Sequence, residues 1–473
     1  MDQAVVTPVP GKPALLLGAF DIGALGYVCE EFFVSGTASS YTLTAELGPD
    51  GRWDVKLSDT ADFTTRIVVL TPADKANFNG TVLVEWLNVS GGIDAPAVWF
   101  MAHREIVRSG YAYVGVSAQQ VGVQGGGANL MGIDMSLKSQ NPTRYAPLSH
   151  PDDAFSYDIF SRVGRLIRDT ERTDLLGELH PQHVVALGES QSALFMTTYV
   201  NAVDPLAQVY DGFLVHSRFA EAAPLDGGSI FNESQVGADQ AVRFSPDLRV
   251  PLITVITETD LFGGIRLGYY LARQSDNDRL RVWEIAGTAH ADNYTIQVAP
   301  IDSGSAPVGD IVAAYAPTNM LMGQQLGHYI NFAPQHHYVL QAALSQLCDW
   351  VHTGRPAPSG ATIELTDTDP PRPILDANGL ARGGIRSPWV DVPIARTSGI
   401  GGVESVMAAI FGSGELFDGA TLRRLYPGGR EDYLERFTAA LDMAIRSGFI
   451  LPADRAEIIE IANASYPAST ESV

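Results

Sequence analysis

The sequence is poor in cysteine and in long apolar runs, and both shortages limit what the protein can be. Its two cysteines, Cys29 and Cys348, lie far apart and lack the spacing of a metal or redox site. The favoured interpretation is two buried thiols in a cytoplasmic protein, with one disulfide in a secreted protein as the alternative. No run of about 18 apolar residues occurs, so no transmembrane helix is predicted. A signal peptide is not expected either, since prolines interrupt the apolar N-terminal patch.

Basic residues are also scarce. The 473 residues contain 31 Lys and Arg against 54 Asp and Glu, which gives a net charge of -23. Such an acidic chain argues against nucleic acid and against anionic membrane surfaces as partners. The charge does not identify a substrate, and an oligomeric state is left open.

The stretch 184–192 contains the most informative motif. An apolar run, Val-Val-Ala-Leu, leads into Gly-Glu-Ser-Gln-Ser and then into an apolar helical pattern. A serine on a tight strand-to-helix turn has an exposed hydroxyl and lies at a helix N-terminus, which suits a nucleophile. The usual motif ends in glycine, and here Ser192 takes that position. The alternative is that Ser190 only caps an ordinary helix.

The surrounding pattern predicts an α/β fold. Buried strands are expected at 81–87, 111–117, 183–187 and 249–257, and helical patterns lie between several of them. Alternating strands and helices indicate a mostly parallel sheet with helices on both faces. Residues 31–38 and 40–44 are expected to form antiparallel strands at an N-terminal edge of the sheet. Residues 1–30 are rich in proline and glycine and are predicted to be irregular.

Two further chemical groups follow strand ends, where active sites of open α/β sheets lie. Asp260 follows the strand at 249–257, and His290 follows the strand at 280–285. The chain order serine, acid, histidine is that of an α/β-hydrolase triad. His290 would act as general base and acid, and Asp260 would orient it. Glu258 is the alternative acid, but we prefer Asp260 because it lies beyond the strand, where the chain can bend towards His290.

An oxyanion hole needs two backbone N–H groups. Gln191, which follows the candidate nucleophile, is expected to supply one of them. Val89 or Ser90, in the glycine-rich loop at 88–92, is expected to supply the other. An ordinary glycine-rich turn is the alternative for that loop.

A substrate pocket is predicted beside these groups. Its candidate residues flank the catalytic positions in the sequence or end a neighbouring strand. The aromatic members favour a small, uncharged and apolar ester, although core packing would explain each of them singly. These candidates are Trp86, Asn88, His216, Phe262 and Tyr294.

No cofactor or metal ion is predicted. His328, His336 and His337 are close in sequence, but no carboxylates accompany them at the spacing of metal ligands. The glycines at 125–127 follow a strand without opening a helix, so a dinucleotide site is not indicated.

With these residues placed, the chain resembles the α/β-hydrolases, and more narrowly the alpha/beta hydrolase domain-containing proteins. The resemblance extends over nearly the whole chain and includes its helical tail. It implies serine hydrolase chemistry without a cofactor. The matching stretches are Val-Glu-Trp-Leu-Asn-Val-Ser-Gly-Gly (84–92), Tyr-Asp-Ile-Phe-Ser (157–161), Gly-Glu-Ser-Gln-Ser (188–192), Glu-Thr-Asp (258–260) and Gly-Thr-Ala-His-Ala-Asp (287–292).

The resemblance implies one hydrolase unit over residues 1–473, with a core at about 30–355 and a wrapping, helical extension at 356–473. Lid insertions are expected at 118–150, 218–248 and 291–334, because long loops in a compact domain are commonly functional. The function expected is carboxylic ester hydrolysis through an acyl-enzyme on Ser190. Acyl transfer on the same triad, cleavage of a carbon–carbon or amide bond, and non-hydrolytic ligand binding in the same pocket are the alternatives.

Overall fold

A large, mostly parallel sheet forms the centre of the protein. The computed structural model describes residues 4–169, 174–230 and 238–467. Among these residues, four further strands form two separate two-stranded sheets. The strands are β1 Val5–Val9, β2 Tyr27–Leu43, β3 Val55–Pro72, β4 Thr81–Trp86, β5 Ala112–Val116, β6 His183–Glu189, β7 Gly212–His216, β8 Leu252–Thr257, β9 Leu280–Ile285, β10 Met320–Leu321, β11 Gln324–Gln325, β12 Ala395–Ser398 and β13 Ser413–Leu416.

The central sheet has nine strands in the order β1-β2-β3-β5-β4-β6-β7-β8-β9. The pairs on the N-terminal side, up to β3–β5, are antiparallel. All pairs from β5–β4 to β8–β9 are parallel. The predicted mixed sheet with an antiparallel N-terminal edge is therefore confirmed.

Helices cover both faces of this sheet. The helices are α1 Ala97–Arg108, α2 Gln120–Gln124, α3 Leu137–Gln140, α4 Ser156–Arg168, α5 Gln191–Thr198, α6 Asp204–Ala207, α7 Glu258–Phe262, α8 Val308–Ala314, α9 Gln335–Thr353, α10 Pro388–Asp391, α11 Val406–Ile410, α12 Gly419–Leu425, α13 Gly429–Arg446 and α14 Arg455–Ser465.

The side-chain alternation of β4 explains the two helix layers. Val84 and Trp86 belong to one buried apolar cluster, which also contains residues of α4 and α5. Leu83 belongs to the cluster on the other face, with residues of α1 and α9. A strand that is buried on both faces needs apolar residues at successive positions. This pattern is what the continuous apolar runs of the sequence predicted.

The prediction that residues 1–30 are irregular was wrong for β1. Val5–Val9 pairs with β2 in an antiparallel register, in which Pro8 lies opposite Phe32. Proline lacks an N–H group, so it is tolerated only where a strand has a free edge. The proline-rich composition concealed a strand that lies at the edge of the sheet.

The C-terminal extension is helical, as expected, and ion pairs attach it to α1. Arg104 Nη1 lies 2.9 Å from Glu457 Oε2, and Arg108 pairs with Asp454. Helices α13 and α14 also enclose a separate apolar cluster, which includes Tyr433, Phe437, Leu441, Ile458 and Ala462.

The three predicted insertions contain short elements between irregular segments. Residues 118–150 include α2 and α3, and residues 291–334 include α8 and the β10–β11 hairpin. In the third insertion, 218–248, residues 231–237 lie outside the described residues. The assignment of these segments as lids stays a prediction.

Both cysteines are free thiols, but only one of them is buried, whereas the favoured interpretation expected two buried thiols. Cys29 is half-buried and Cys348 is buried. Burial raises the pKa of the Cys348 thiol to about 12, so this thiol is protonated at neutral pH. Within the described residues, no helix is long and apolar enough to cross a lipid bilayer.

A buried ion pair supports the loop that follows β4. Arg66 of β3 is fully buried, and its Nη2 lies 2.6 Å from Asp94 Oδ2. Its Nε donates to the Ser117 hydroxyl over 2.8 Å. Glu31 Oε1 also lies 3.7 Å from Arg66 Nη1. Removing Asp94 therefore leaves the buried Arg66 charge with only this more distant carboxylate, and it takes the acceptor away from Arg66 Nη2 and from the Ser117 hydroxyl.

We predict that Asp94→Ala lowers the free energy of unfolding by about 3 kcal/mol, measured by urea denaturation. Asp247→Ala is the matched control, because Asp247 pairs with Arg52 at the surface, where its side chain is 70% exposed. Water solvates both charges there, so this variant should leave the denaturation midpoint unchanged. Equal midpoints for the two variants would contradict the prediction.

Candidate active site

A sharp turn between β6 and α5 presents the Ser190 side chain. Ser190 has φ 58° and ψ -116°, a left-handed conformation that costs a residue other than glycine on the order of 1–3 kcal/mol. Its N–H donates to the carbonyl oxygen of His216 on β7 over 3.0 Å, and its own carbonyl accepts from Ala193 over 3.0 Å. Strand pairing on one side and the helix on the other therefore hold the turn.

Gly188 is required by the same turn. A Cβ atom there would lie 2.5 Å from Met196 Cγ and 3.1 Å from the carbonyl oxygen of Ser192. Ser192, which takes the place of the usual second glycine, is fully buried. Its Oγ has no hydrogen-bond partner among the described residues. The serine thus fits the space but buries an unpaired hydroxyl.

Ser190, His290 and Asp260 form a continuous chain of hydrogen bonds. Ser190 Oγ lies 2.7 Å from His290 Nε2, and His290 Nδ1 lies 2.6 Å from Asp260 Oδ1. A neutral imidazole that carries its proton on Nδ1 donates to the carboxylate and accepts the serine proton at Nε2. The fold brings together side chains that lie 100 and 30 positions apart in the sequence.

Thr257 holds the Asp260 carboxylate in place. Asp260 Oδ2 accepts from the Thr257 N–H over 2.8 Å and from the Thr257 hydroxyl over 2.7 Å. This arrangement is a capping box at the start of α7. Because Oδ2 is occupied and the side chain is fully buried, Oδ1 is left for His290.

Glu258, the alternative acid, has other partners. Its Oε1 accepts from the Gly287 N–H over 2.6 Å. Its Oε2 accepts from the Ser398 hydroxyl over 2.8 Å and from the Gly399 N–H over 2.9 Å. The group is buried, and burial raises its pKa above the ordinary glutamate value. Glu258 therefore fastens the loop before His290 to the C-terminal extension, and Asp260 is the acid that contacts the histidine.

Opposing effects set the charge of His290. Burial by itself lowers the pKa of His290. The charge of Asp260, the hydrogen bond to it and the charge of Glu189 act in the other direction and outweigh burial, so the pKa lies above its ordinary value. The site therefore favours the imidazolium that forms when the serine gives up its proton.

The predicted oxyanion donors lie beside Ser190. Two of them, the N–H groups of Val89 and Ser90, already donate to side-chain oxygens. Gln191 is the first residue of α5, so its N–H points outward from the helix start. The Val89 N–H donates to the side-chain Oε1 of Gln191 over 3.3 Å, whereas the Ser90 N–H donates to Asn88 Oδ1 over 2.8 Å. Of the two loop candidates, Val89 is therefore the one that faces the turn.

The Gln191 side chain belongs to a buried polar network. Its Nε2 donates to Gln119 Oε1 over 2.7 Å, and the Trp86 indole N–H donates to the same oxygen over 3.0 Å. Gln119 Nε2 in turn donates to Asp153 Oδ2 over 3.1 Å. The network fixes the amide of Gln191 with its oxygen directed at Val89.

The predicted pocket residues have different locations. Trp86 is fully buried in the core against Phe195, and Tyr294 is buried with its ring stacked on His337 at 3.7 Å. Both side chains pack into the interior, as the core-packing alternative expected for each aromatic, and their assignment to the substrate pocket stays a prediction. Phe262 lines a cavity on the α7 side of the sheet edge.

The two remaining pocket candidates are polar and lie close to the turn. Asn88 donates from Nδ2 to the main-chain oxygen of Glu189 over 3.1 Å and to its Oε2 over 3.3 Å. His216 is buried, with its Nε2 at 2.8 Å from His336 Nε2. Burial, together with His336 and His290, holds the pKa of His216 well below its ordinary value. His216 is thus a neutral, buried member of a histidine pair.

Sequence reasoning missed two side chains that touch His290. Phe219 stacks on its ring, with 5.4 Å between the ring centroids, and nothing in the sequence marked this residue. Glu189 lies next to Ser190 in the motif, and its Oε1 is 3.8 Å from His290 Nε2. Its position in the motif was the available signal for that contact.

A small cavity of about 120 Å³ opens beside Gln191. Among the described residues no lysine or arginine lines it, and its lining includes none of Ser190, His290 and Asp260. Its lining includes Val89, Gln119, Asp153, Phe195 and Ile230. A larger cavity of about 500 Å³ lies behind α7, lined by residues such as Thr259, Phe262, Ile400 and Val403, and it contains none of the three hydrogen-bonded residues.

Metal binding was not expected from the sequence. In the part of the chain that the structure describes, no three histidine, cysteine, aspartate or glutamate side chains are grouped to hold a metal ion. His216 and His336 pair with each other instead.

A family model described as "Alpha/beta hydrolase domain" matches residues 5–460. No curated protein sequence matches the chain significantly.

Among solved structures, the chain is similar to a serine hydrolase without a lid from Xanthomonas campestris, with 11% identity, 57% of this chain and 91% of that chain covered, and a TM-score of 0.30. It is also similar to an esterase from Rhizomucor miehei, with 11% identity, 68% and 85% covered, and a TM-score of 0.28. A third similarity is to the esterase Pf2001 of Pyrococcus furiosus, with 10% identity, 57% and 86% covered, and a TM-score of 0.30.

The two neighbouring carboxylates can be distinguished by mutation. We predict that Asp260→Asn lowers turnover of an ester by about 10⁴-fold, because the amide no longer selects the required imidazole tautomer. Glu258→Gln should leave turnover within about tenfold and lower the free energy of unfolding by about 1–3 kcal/mol, because buried N–H groups lose an acceptor. Initial rates and urea denaturation of both variants test this, and the reverse pattern would contradict the assignment.

Proposed function

Because the chain belongs to the alpha/beta hydrolase domain family, we propose that it is a serine hydrolase that cleaves carboxylic esters. The observation that carries the proposal is the unbroken chain from Ser190 Oγ through His290 to Asp260, at 2.7 and 2.6 Å. A serine that only capped a helix would need neither partner. The strained backbone of Ser190 supports the same interpretation, since such strain is common at functional sites.

Each residue has a defined role in acylation. His290 Nε2 removes the proton from Ser190 Oγ while that oxygen attacks the ester carbonyl carbon. Asp260 stabilises the imidazolium and keeps the proton on Nδ1. The imidazolium then gives its proton to the departing alcohol, and the acyl group stays on Ser190.

The N–H groups of Gln191 and Val89 are proposed to bind the oxyanion. Charge that develops on the carbonyl oxygen is stabilised by donors fixed in advance. The Val89 N–H now donates to the Gln191 side-chain oxygen, so that oxygen has to give way to the substrate. The Gln191 side-chain oxygen thus occupies the place proposed for the substrate carbonyl oxygen, and it keeps the Val89 N–H directed at that place.

The substrate is proposed to be a small, uncharged ester. The cavity beside Gln191, at about 120 Å³, is smaller than the pockets that take drug-sized ligands, and it therefore suits a short acyl group. Asp152 and Asp153 line this cavity, and among the described residues no lysine or arginine does. An anionic acyl group would be repelled there.

We predict that a fluorophosphonate probe labels the wild-type protein at Ser190, because such probes react with an activated serine hydroxyl. Labelling should be lost in Ser190→Ala. It should be kept in Ser192→Ala, because the wild-type Ser192 hydroxyl is buried and has no hydrogen-bond partner among the described residues. Peptide mapping by mass spectrometry locates the adduct. Folded wild-type protein that takes up no probe would overturn the proposal.

The pH dependence of hydrolysis follows from His290. The imidazole has to be neutral to accept the serine proton, so kcat/KM should fall as the pH drops through the pKa of His290. That midpoint should lie above about 6.5, the ordinary histidine value, because Asp260 favours the charged ring. Rates of p-nitrophenyl butyrate hydrolysis measured against pH give the midpoint. A midpoint below the ordinary value would contradict the role assigned to His290.

A further inference from the structure

A second carboxylate lies at the reacting end of His290. Glu189, the last residue of β6, has its Oε1 3.8 Å from His290 Nε2. The same nitrogen lies 2.7 Å from Ser190 Oγ. The Glu189 side chain is 12% exposed, so it is largely enclosed but open on one side. None of the acylation steps uses this group.

Asn88 fixes the orientation of this carboxylate. Asn88 Nδ2 donates to the Glu189 main-chain oxygen over 3.1 Å and to Oε2 over 3.3 Å. The opposite end of the same amide, Oδ1, accepts from the Ser90 N–H over 2.8 Å, so the amide cannot reverse without losing a bond. Oε2 is therefore held by Asn88, and Oε1 is the oxygen that faces His290.

The separation of 3.8 Å between Oε1 and Nε2 is too long for a good direct hydrogen bond. It suits two groups that share one water molecule, because each needs only about 2.7–3.2 Å to the water oxygen. A water in that place would lie near Ser190 Oγ, because the His290 Nε2 that it contacts is 2.7 Å from that oxygen.

We propose that Glu189 is a further catalytic residue, which holds the water that hydrolyses the acyl-enzyme. The inference rests on the proposed ester hydrolysis. One proton of the water is directed at His290 Nε2, and the other donates to Glu189 Oε1. This arrangement aims a lone pair of the water oxygen at the acyl carbon on Ser190.

The bonds of this step balance without a further reactant. The water oxygen bonds to the acyl carbon as one water proton passes to His290 Nε2, and the carbonyl electrons move to the oxyanion. The intermediate then collapses, the bond between carbon and Ser190 Oγ breaks, and His290 returns its proton to Oγ. Glu189 accepts a hydrogen bond throughout and neither gains nor loses a proton.

The charge of Glu189 suits this role. Burial raises the pKa of Glu189 to about 7, with His290 and the bond from Asn88 acting in the other direction. The carboxylate is thus ionised above neutral pH, and it faces the ring that becomes positive when the water proton arrives. The attraction between the two charges is strongest at that stage of the reaction.

A water molecule and an alcohol should respond differently to Glu189. Water has two O–H groups and can donate to both His290 and Glu189, whereas methanol has one and needs only His290. In Glu189→Gln the amide oxygen is drawn to Asn88, because Asn88 Nδ2 is a donor. An NH₂ group then faces the water, where an acceptor is needed.

The test uses p-nitrophenyl butyrate at about pH 8, where the carboxylate is ionised, with and without methanol. For Glu189→Gln we expect the initial burst of p-nitrophenol to slow much less than the steady rate, because the charge of Glu189 is the smallest of the effects that favour the His290 imidazolium. The following steady rate should fall about 10- to 100-fold, the effect of losing one charge-assisted hydrogen bond. The ratio of methyl butyrate to butyrate should rise by a similar factor. Glu178→Gln, which removes a carboxylate that is 82% exposed, is the control and should match wild type.

The outcomes separate this inference from the proposed function. A burst rate and a steady rate that fall together, with an unchanged product ratio, would mean that Glu189 only supports the turn, and the inference would be overturned. A protein in which Ser190 takes up no fluorophosphonate would overturn the proposed function itself. Labelled Ser190 with an unchanged product ratio overturns the role of Glu189 alone.

Discussion

The strained backbone at Ser190 is the constraint on which the rest of the site depends. A serine adopts φ 58° only where its surroundings leave no alternative. Here Gly188 leaves room for Met196, the N–H of Ser190 bonds to the neighbouring strand at His216, and a helix begins at the next residue. These contacts with the central sheet and the helix stabilise a strained conformation that keeps the Ser190 hydroxyl away from its own backbone. The hydroxyl can therefore contact only side chains that follow other strands of the sheet.

Two carboxylates of the short helix α7 have separate structural roles in the site. Asp260 and Glu258 are both buried, yet their oxygens face different partners. Asp260 orients His290, whereas Glu258 binds the loop at Gly287 and the distant Gly399. Buried carboxylates need donors for their oxygens. Thr257 and His290 donate to Asp260, whereas Gly287, Ser398 and Gly399 donate to Glu258. The C-terminal extension is therefore part of what positions the histidine loop, through bonds that cross 141 positions of sequence.

Much of the fold could be predicted because its signals are local. Apolar runs such as the one in β4 mark strands buried on both faces, and the helices between them give a parallel sheet. The edge strand Val5–Val9 was not predicted, because proline argues against a strand. Pro8 is tolerated there because no further strand pairs with that edge of the sheet. Trp86 and Tyr294 were expected in a pocket, but proximity in sequence does not fix the face to which an aromatic side chain turns. Both are buried in the core.

The sequence by itself determined the kind of site: a serine, an acid and a histidine in that order, each after a strand. Parallel strands end at one edge of the sheet, so residues that follow them converge wherever the chain runs between. The sequence favoured Asp260 over Glu258 and left the loop donor open. Tertiary structure decided that Asp260 meets His290, that the Val89 N–H faces the turn, and that Glu189 lies towards the same ring. These choices depend on side-chain directions and on partners from remote segments, such as Asn88 and Thr257. No local sequence pattern encodes these contacts, because they form only when elements distant in the sequence pack together and their acceptors compete for the same donors.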